Sequence, residues 1–174
     1  MRGMTAHADA SCASCPTTLK SVSGCHVDVC GGPVTWRSRR QTVVATSTAE
    51  AEHMASSECV KETMCVTQVT NELGYRTEEN GVPLHCDGAS AISIAQKPGF
   101  TQRSKSIRIC YHNVRQCEKE KLICLKKIKG TENPADILTK GLPRELNDKH
   151  VSHVFNMEHA SAPARESQHS TRTR

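Results

Sequence analysis

The sequence predicts an α/β fold, a mixed β-sheet with helices packed on it. Three observations carry this. Two alternating apolar stretches flank the Gly31-Gly32-Pro33 turn and read as a hairpin. A long helical stretch bounded by Ser47 and Gly74 leads into the short apolar run Val82–Cys86. A further strand-like run, 122–128, lies between two helical patterns.

In chain order, residues 5–10 read as a short strand ending near Asp9, and 11–22 as a loop of Ser, Thr, Pro and Cys. Residues 24–30 alternate and form the first hairpin strand; 34–38 begin the second. Ser47 and Thr48 can cap the next helix, with Glu50 three residues after Ser47 as in a capping box. That helix runs to Leu73 and stops at Gly74, a residue type that accepts the backbone turn past a helix end. After the polar loop 75–81 comes the buried strand Val82–Cys86, ending at Asp87. A short helix over 88–96 is broken by Pro98 and Gly99, residues 106–119 are helical, and 122–128 form a strand. Past a turn at 130–133, Pro134 occupies a helix first turn, where a missing N–H is tolerated, and that helix runs to Lys140. The folded domain is expected over 1–145. Residues 146–174, rich in Ser, His, Arg and Ala without periodicity, are expected to be a disordered basic and polar tail.

Only 36% of the 174 residues are apolar and 3% aromatic, so the core must be built from Val, Ile, Leu, Ala and Cys, and modest stability is expected. Trp36 is expected in that core. Ten cysteines mostly fall within apolar patterns, where a reduced thiol acts as a small hydrophobe. Cys12 and Cys15 form a lone C-x-x-C, and a zinc-binding interaction module built on them lacks its second half-motif. No apolar run approaches the roughly 18 residues of a membrane span. The first residues lack the apolar stretch of a secretory signal. An intracellular chain with no membrane contact is therefore expected. The charge is uneven: residues 1–96 hold 7 basic and 10 acidic side chains, net −3, whereas 97–149 hold 13 and 6, net +7. An acidic part beside a basic part suits an anionic polymer gripped around a metal-holding acidic spot; a solvated basic face is the plainer account.

The stretch TSTAEAEHMASSECVKE, 46–62, carries Glu50 and Glu52 at a helix start. Two residues on a helix subtend about 200°, so the two carboxylates face nearly opposite ways. Glu50 shares its side with His53, Ser57 and Lys61, which suit solvent, and serves as a cap at the positive helix end. Glu52 shares a stripe with Ala55, Cys59, Val66, Val69 and Leu73, which packs on the sheet. A carboxylate on a packed face needs a partner, either a Lys or Arg or a metal ion. Asp9, Asp87 and Asp136 likewise border apolar strands or open a helix, where they can converge on one sheet edge. Hard oxygen donors without Cys or His select Mg²⁺ or Mn²⁺.

Several blocks raise this further: DASCASCP from Asp9, SVSG, GGPVTWRSRRQTVVATSTAEAEHMA, LHCDGASAISIAQKP, RSKSIRICYHNVR and NPADILTKGLP. In order and spacing, over about 5–145, they resemble the ribonuclease H domain of copia-type retrotransposon Pol polyproteins. The resemblance implies a ribonuclease H-like fold, a five-stranded mixed sheet flanked by helices. It implies a metal site of Asp9, Glu52, Asp87 and Asp136, and so chooses Glu52 over Glu50, as the helical-face argument does. It also implies hydrolysis of the RNA strand of an RNA–DNA hybrid, with two Mg²⁺ or Mn²⁺ ions roughly 3.5–4 Å apart. Asp9 would bridge both ions, Glu52 and Asp87 completing one and Asp136 the other. Candidate nucleic-acid contacts are Arg37, Arg39, Arg40, Gln41, Ser90, Arg103 and Lys105, and a reverse transcriptase acting in trans is a candidate partner.

The chain departs from the family pattern at Cys12 and Cys65, where tryptophans are common, and at Ser106 and Cys110. A buried Trp replaced by Cys would cost about 3–5 kcal/mol per site. The family carries this domain at the end of a polyprotein, and these residues include no reverse-transcriptase, integrase or protease segment. The alternative expectation is thus a catalytically silent retroelement fragment that keeps the fold and at most binds nucleic acid.

Overall fold

The computed structural model describes residues 3–75, 80–88 and 105–155, with the backbone alone for 105–108. The helix expected over 88–96 lies almost wholly outside the described residues. Strands β1 (Met4–Ser11), β2 (Val22–Val29) and β3 (Gly32–Arg40) precede helix α1 (Thr48–Glu72). Then come β4 (Val82–Cys86), α2 (Lys105–Lys119), β5 (Ile123–Lys127), two short 3₁₀ turns (Gly130–Glu132 and Pro134–Leu138) and α3 (Arg144–Val154). The five strands form one mixed sheet in the order β3-β2-β1-β4-β5. The hairpin strands pair antiparallel with each other and with β1, while β1, β4 and β5 run parallel. Parallel neighbours need a crossover, and α1 supplies it between β1 and β4.

Strand alternation sorts the side chains by face. Ala6, Ala8, Cys25, Val27, Val82 and Leu84 meet Cys59, Val60 and Val66 of α1 and Val114 and Cys117 of α2 in one apolar cluster. The interface is built from small residues: Ala6, Ala8, Ala51 and Ala55 are fully buried, so α1 lies close on β1. The thiols of Cys25 and Cys59 touch across it at 2.8 Å. All ten cysteines are free; Cys65 is exposed, so the expected loss of a buried contact at that position does not arise.

Helix α1 starts as its sequence predicts, with Ser47 Oγ accepting from the Glu50 N–H at 3.2 Å, and ends at Leu73 before Gly74 at φ +84°. Two expectations about its faces are corrected. Glu50, His53 and Ser57 are buried, not solvent-facing, because α2 covers that side and Tyr111 stacks on His53 with centroids 4.0 Å apart. Glu50 accepts from the N–H and hydroxyl of Thr46 at 2.6 and 2.7 Å, a local satisfaction of a buried carboxylate. Val69 and Leu73 are exposed, so the packed stripe ends at Val66.

Two further corrections concern Trp36 and the C-terminal boundary. Trp36 is 56% exposed, because β3 is an edge strand with little packed against it. The ordered chain does not stop at 145: α3 runs over Arg144–Val154 and buries His150 and Val154. Two buried positions four apart hold that helix down, a spacing too sparse to register as periodicity. Residues 156–174 lie outside the described residues. No helix among the described residues is long and apolar enough to cross a membrane.

Candidate active site

Three elements deliver the acids. Asp9 lies near the end of β1, Glu52 one turn into α1, and Asp87 directly after β4. One carboxylate oxygen from each lies within 4.8 Å of the others. Asp9 and Glu52 are 1% and 4% exposed, and Asp87 is half-buried. The Ala10 N–H donates to Glu52 Oε1 at 3.2 Å, tying the helix acid to the strand next to Asp9. Glu52 Oε2 is buried without a hydrogen-bond partner.

Asp136, on the second 3₁₀ turn, borders this trio instead of joining its tightest group. It is buried, and its Oδ1 lies 3.0 Å from Lys140 Nζ, one helical turn on. The turn is pinned to β1 twice. Asn133, fully buried, donates from Nδ2 to the Ala8 carbonyl at 2.9 Å and accepts from the Ala135 N–H at 3.3 Å. The Thr139 hydroxyl donates to Asp9 Oδ2. Close approach is possible because Gly24, paired with Asp9 in the β1–β2 ladder, has no side chain: a Cβ there would meet the Ala135 carbonyl at 2.8 Å. A Cβ at Gly130 would come 3.2 Å from Asp87 Oδ2, a milder approach to a side-chain tip. Asn133, Thr139 and Lys140 were not singled out from sequence, although all lie in the NPADILTK block and Lys140 sits four residues past Asp136.

Burial and mutual repulsion act together on these acids. Burial, then the charges of Asp9 and Asp87, push the Glu52 carboxyl up to about 9. Burial raises Asp9, with Thr139 opposing and Asp136 adding to the rise, and burial with the Asp9 charge raises Asp87. Burial would lower the Lys140 ammonium, but its bond to Asp136 and the charges of Asp9, Asp136 and Asp87 outweigh this and raise it. One lysine does not balance four acids. An orphaned buried oxygen and an all-oxygen donor set fit a hard divalent cation. The other group of metal-ligating side chains among the described residues is His7, His26 and Asp28; Cys12 and Cys15 join neither.

The candidate nucleic-acid contacts separate. Arg39 and Arg40 are exposed on β3, opposite Ser23 and Val22, level with the acid end of β1. Arg37 is exposed but ion-paired with Glu62 of α1. Gln41 is 1% exposed, and its amide nitrogen donates to Ser23 Oγ and the Ala51 carbonyl at 3.0 and 2.9 Å, so it braces the β3–α1 connection from inside the fold. Ser90 and Arg103 lie outside the described residues, and Lys105 is described by its backbone alone.

The strand order and flanking helices are those of the ribonuclease H fold. RNase H1 from Halobacterium salinarum NRC-1 matches with a TM-score of 0.54 and 14% identity, over 79% of this chain and 95% of that one. LC11-RNase H1, isolated from compost, matches at 0.56 and 15%, over 87% of this chain and 100% of that one. A structure of LC11-RNase H1 in complex with RNA/DNA hybrid matches at 0.53 and 14%, over 86% and 99%. In sequence the chain is 36% identical over 138 residues, 79% of its length, to the retrovirus-related Pol polyprotein from transposon TNT 1-94 of Nicotiana tabacum. It is 30% identical over 149 residues, 86% of its length, to that from transposon RE1 of Arabidopsis thaliana. Its homologues are thus retrovirus-related Pol polyproteins from plant transposons, and it spans 10% of the length of each. No protein-family profile matches the chain.

Proposed function

We propose that this chain is a retrotransposon-derived ribonuclease H that hydrolyses the RNA strand of RNA–DNA hybrids inside the cell. The observation that carries the reading is the convergence of Asp9, Glu52 and Asp87, from three separate elements, within 4.8 Å. Asp9, Glu52 and Asp87 would hold one Mg²⁺ or Mn²⁺ ion and Asp9 with Asp136 a second; such a pair supplies an activated water and stabilises the leaving 3′ oxygen. The chain's own groups prepare that site. The Ala10 N–H aims Glu52, the Thr139 hydroxyl holds one oxygen of Asp9, and Lys140 steadies Asp136. Arg39 and Arg40 are placed to take backbone phosphates of the hybrid, with Ser90, Arg103 and Lys105 as further contacts and Arg37 drawn in if it releases Glu62. A reverse transcriptase, in the same polyprotein or in trans, would make the hybrid.

The test is cleavage of a hybrid labelled on its RNA strand, with Mg²⁺ or Mn²⁺, by the wild-type chain and by Asp87→Asn. Wild-type cleavage that a chelator stops and Asp87→Asn nearly abolishes is expected. A folded wild-type chain that cuts with neither metal would leave a catalytically silent, nucleic-acid-binding fragment as the correct reading.

A further inference from the structure

A second set of buried donors lies one pleat along the same face of β1. His7 stands directly opposite His26 in the β1–β2 ladder, and Asp28 follows His26 by two residues, so strand alternation turns all three the same way. His7, His26 and Asp28 are 6%, 0% and 5% exposed. His7 Nδ1 and both ring nitrogens of His26 are buried without a hydrogen-bond partner. One ligand atom from each of the three lies within 4.8 Å of the others, and His26 Nδ1 is 3.4 Å from Asp28 Oδ2. Buried polar atoms are nearly always paired, so orphaned nitrogens in a row ask for a partner.

The space beside them is also present. A cavity of about 390 Å³ is lined by Thr5, His7, Asp28, His85 and His153, among others. His153, on the last turn of α3, meets the His7 ring edge-on with centroids 5.9 Å apart. Thr5 stands directly opposite Asp28 in the β1–β2 ladder.

We propose that His7, His26, Asp28 and His153 form a site for a divalent transition-metal ion of the zinc class, which clips α3 to strands β1 and β2. Imidazole nitrogens with one carboxylate suit Zn²⁺ or Co²⁺, in contrast to the all-oxygen acid site. Tetrahedral ligands of zinc sit about 3.4 Å apart, so ring rotations must draw the four inward. The role is structural: in a chain with 3% aromatic residues, an ion would hold down a helix that otherwise buries only His150 and Val154. The inference does not depend on the nuclease reading.

The test uses the full chain, stripped with a chelator and titrated with Co²⁺ in excess Mg²⁺, which competes for all-oxygen sites. One bound equivalent is expected, with the visible absorption of a tetrahedral ion, no thiolate charge-transfer band, and a raised melting temperature. His153→Gln, at an exposed position, and Asp28→Asn should each weaken binding roughly tenfold or more. Cys12→Ser with Cys15→Ser should leave it unchanged. Absence of Co²⁺ binding in excess Mg²⁺, binding that both His153→Gln and Asp28→Asn leave intact, or a thiolate band lost with the two cysteines, each overturns the proposal.

Discussion

Thr139 packs on the bare backbone of Gly24: a Cβ at 24 would lie 2.7 Å from Thr139 Cγ2. Because Gly24 pairs with Asp9 and Thr139 donates to Asp9, this one missing side chain lets the 3₁₀ turn grip the strand acid from the far side. Gly24→Ala should therefore destabilise the chain by about 1–3 kcal/mol, the usual cost of overpacking. The backbone carbonyl of Ala135, also 2.8 Å from that Cβ, cannot rotate away. Urea denaturation checks the stability, and hybrid cleavage should fall with it as Asp9 and Asp136 move apart.

The acid site sets a pH dependence whose sign is opposite to that of an ordinary ion-paired carboxylate. With Glu52 pushed up to about 9, by burial first and then by Asp9 and Asp87, the folded chain in chelator keeps a proton that the unfolded chain loses near 4.5. Stability must then fall as pH rises from about 5 to about 9, since the unfolded state binds fewer protons over that window. Melting temperatures across this range should decline for the wild type and decline less for Glu52→Gln. Mg²⁺ should raise the wild-type value more at the alkaline end. Superimposable profiles for the two proteins would show that Glu52 is not the group involved.

Asn133 joins the 3₁₀ turn to β1 through two hydrogen bonds made in full burial. Asn133→Ala leaves the Ala8 carbonyl and the Ala135 N–H without these partners, and a loss of about 1–3 kcal/mol is expected. Asn133→Asp keeps the acceptor but loses the donor. It should be destabilising too, and more so at neutral than at acid pH, because a second buried charge would join Asp136. Chemical denaturation at two pH values separates these outcomes.

The arginines of β3 should differ in what they contribute. Arg39→Ala and Arg40→Ala are each expected to weaken hybrid binding and to lower the salt dependence by about one counterion, with stability unchanged. Arg37→Ala should do less to binding, because Arg37 is already engaged by Glu62, and an exposed pair of this kind is worth about 0–1 kcal/mol to the fold. Titrations at several salt concentrations measure both effects. Equal slopes for all three variants would show that the Glu62 pairing gives way on binding.

Much of this was legible in the residues alone. Ser47 and Gly74 are local signals, acting over a few bonds, and the helix ends fall where they indicate; the hairpin also forms, but its turn is Cys30-Gly31, and Gly32 and Pro33 already belong to β3. The choice of Glu52 over Glu50 as the acid facing the sheet also rests on local geometry, a rotation of about 200°. The burial of Glu50 and His53 was not legible, because it depends on α2 arriving from more than fifty residues away. The exposure of Trp36 depends on β3 being an edge strand, a property of sheet order that no window of sequence contains. The helix Arg144–Val154 has no apolar stripe to announce it in sequence, because its hold on the fold comes from His150 and Val154.

By itself, then, the sequence determined the five strands, the two long helices, their order, the family likeness and which acids are candidates, since these follow from short-range periodicity, capping and motif. Only the tertiary structure decided which donors meet. It brought Asp9, Glu52 and Asp87 together, set Asp136 beside them on a lysine, and aligned His7 with His26 and Asp28. The physical reason is register: a shift of one residue between β1 and β2 would part His7 from His26, one between β1 and β4 would part Asp9 from Asp87, and register is set by packing across the whole sheet.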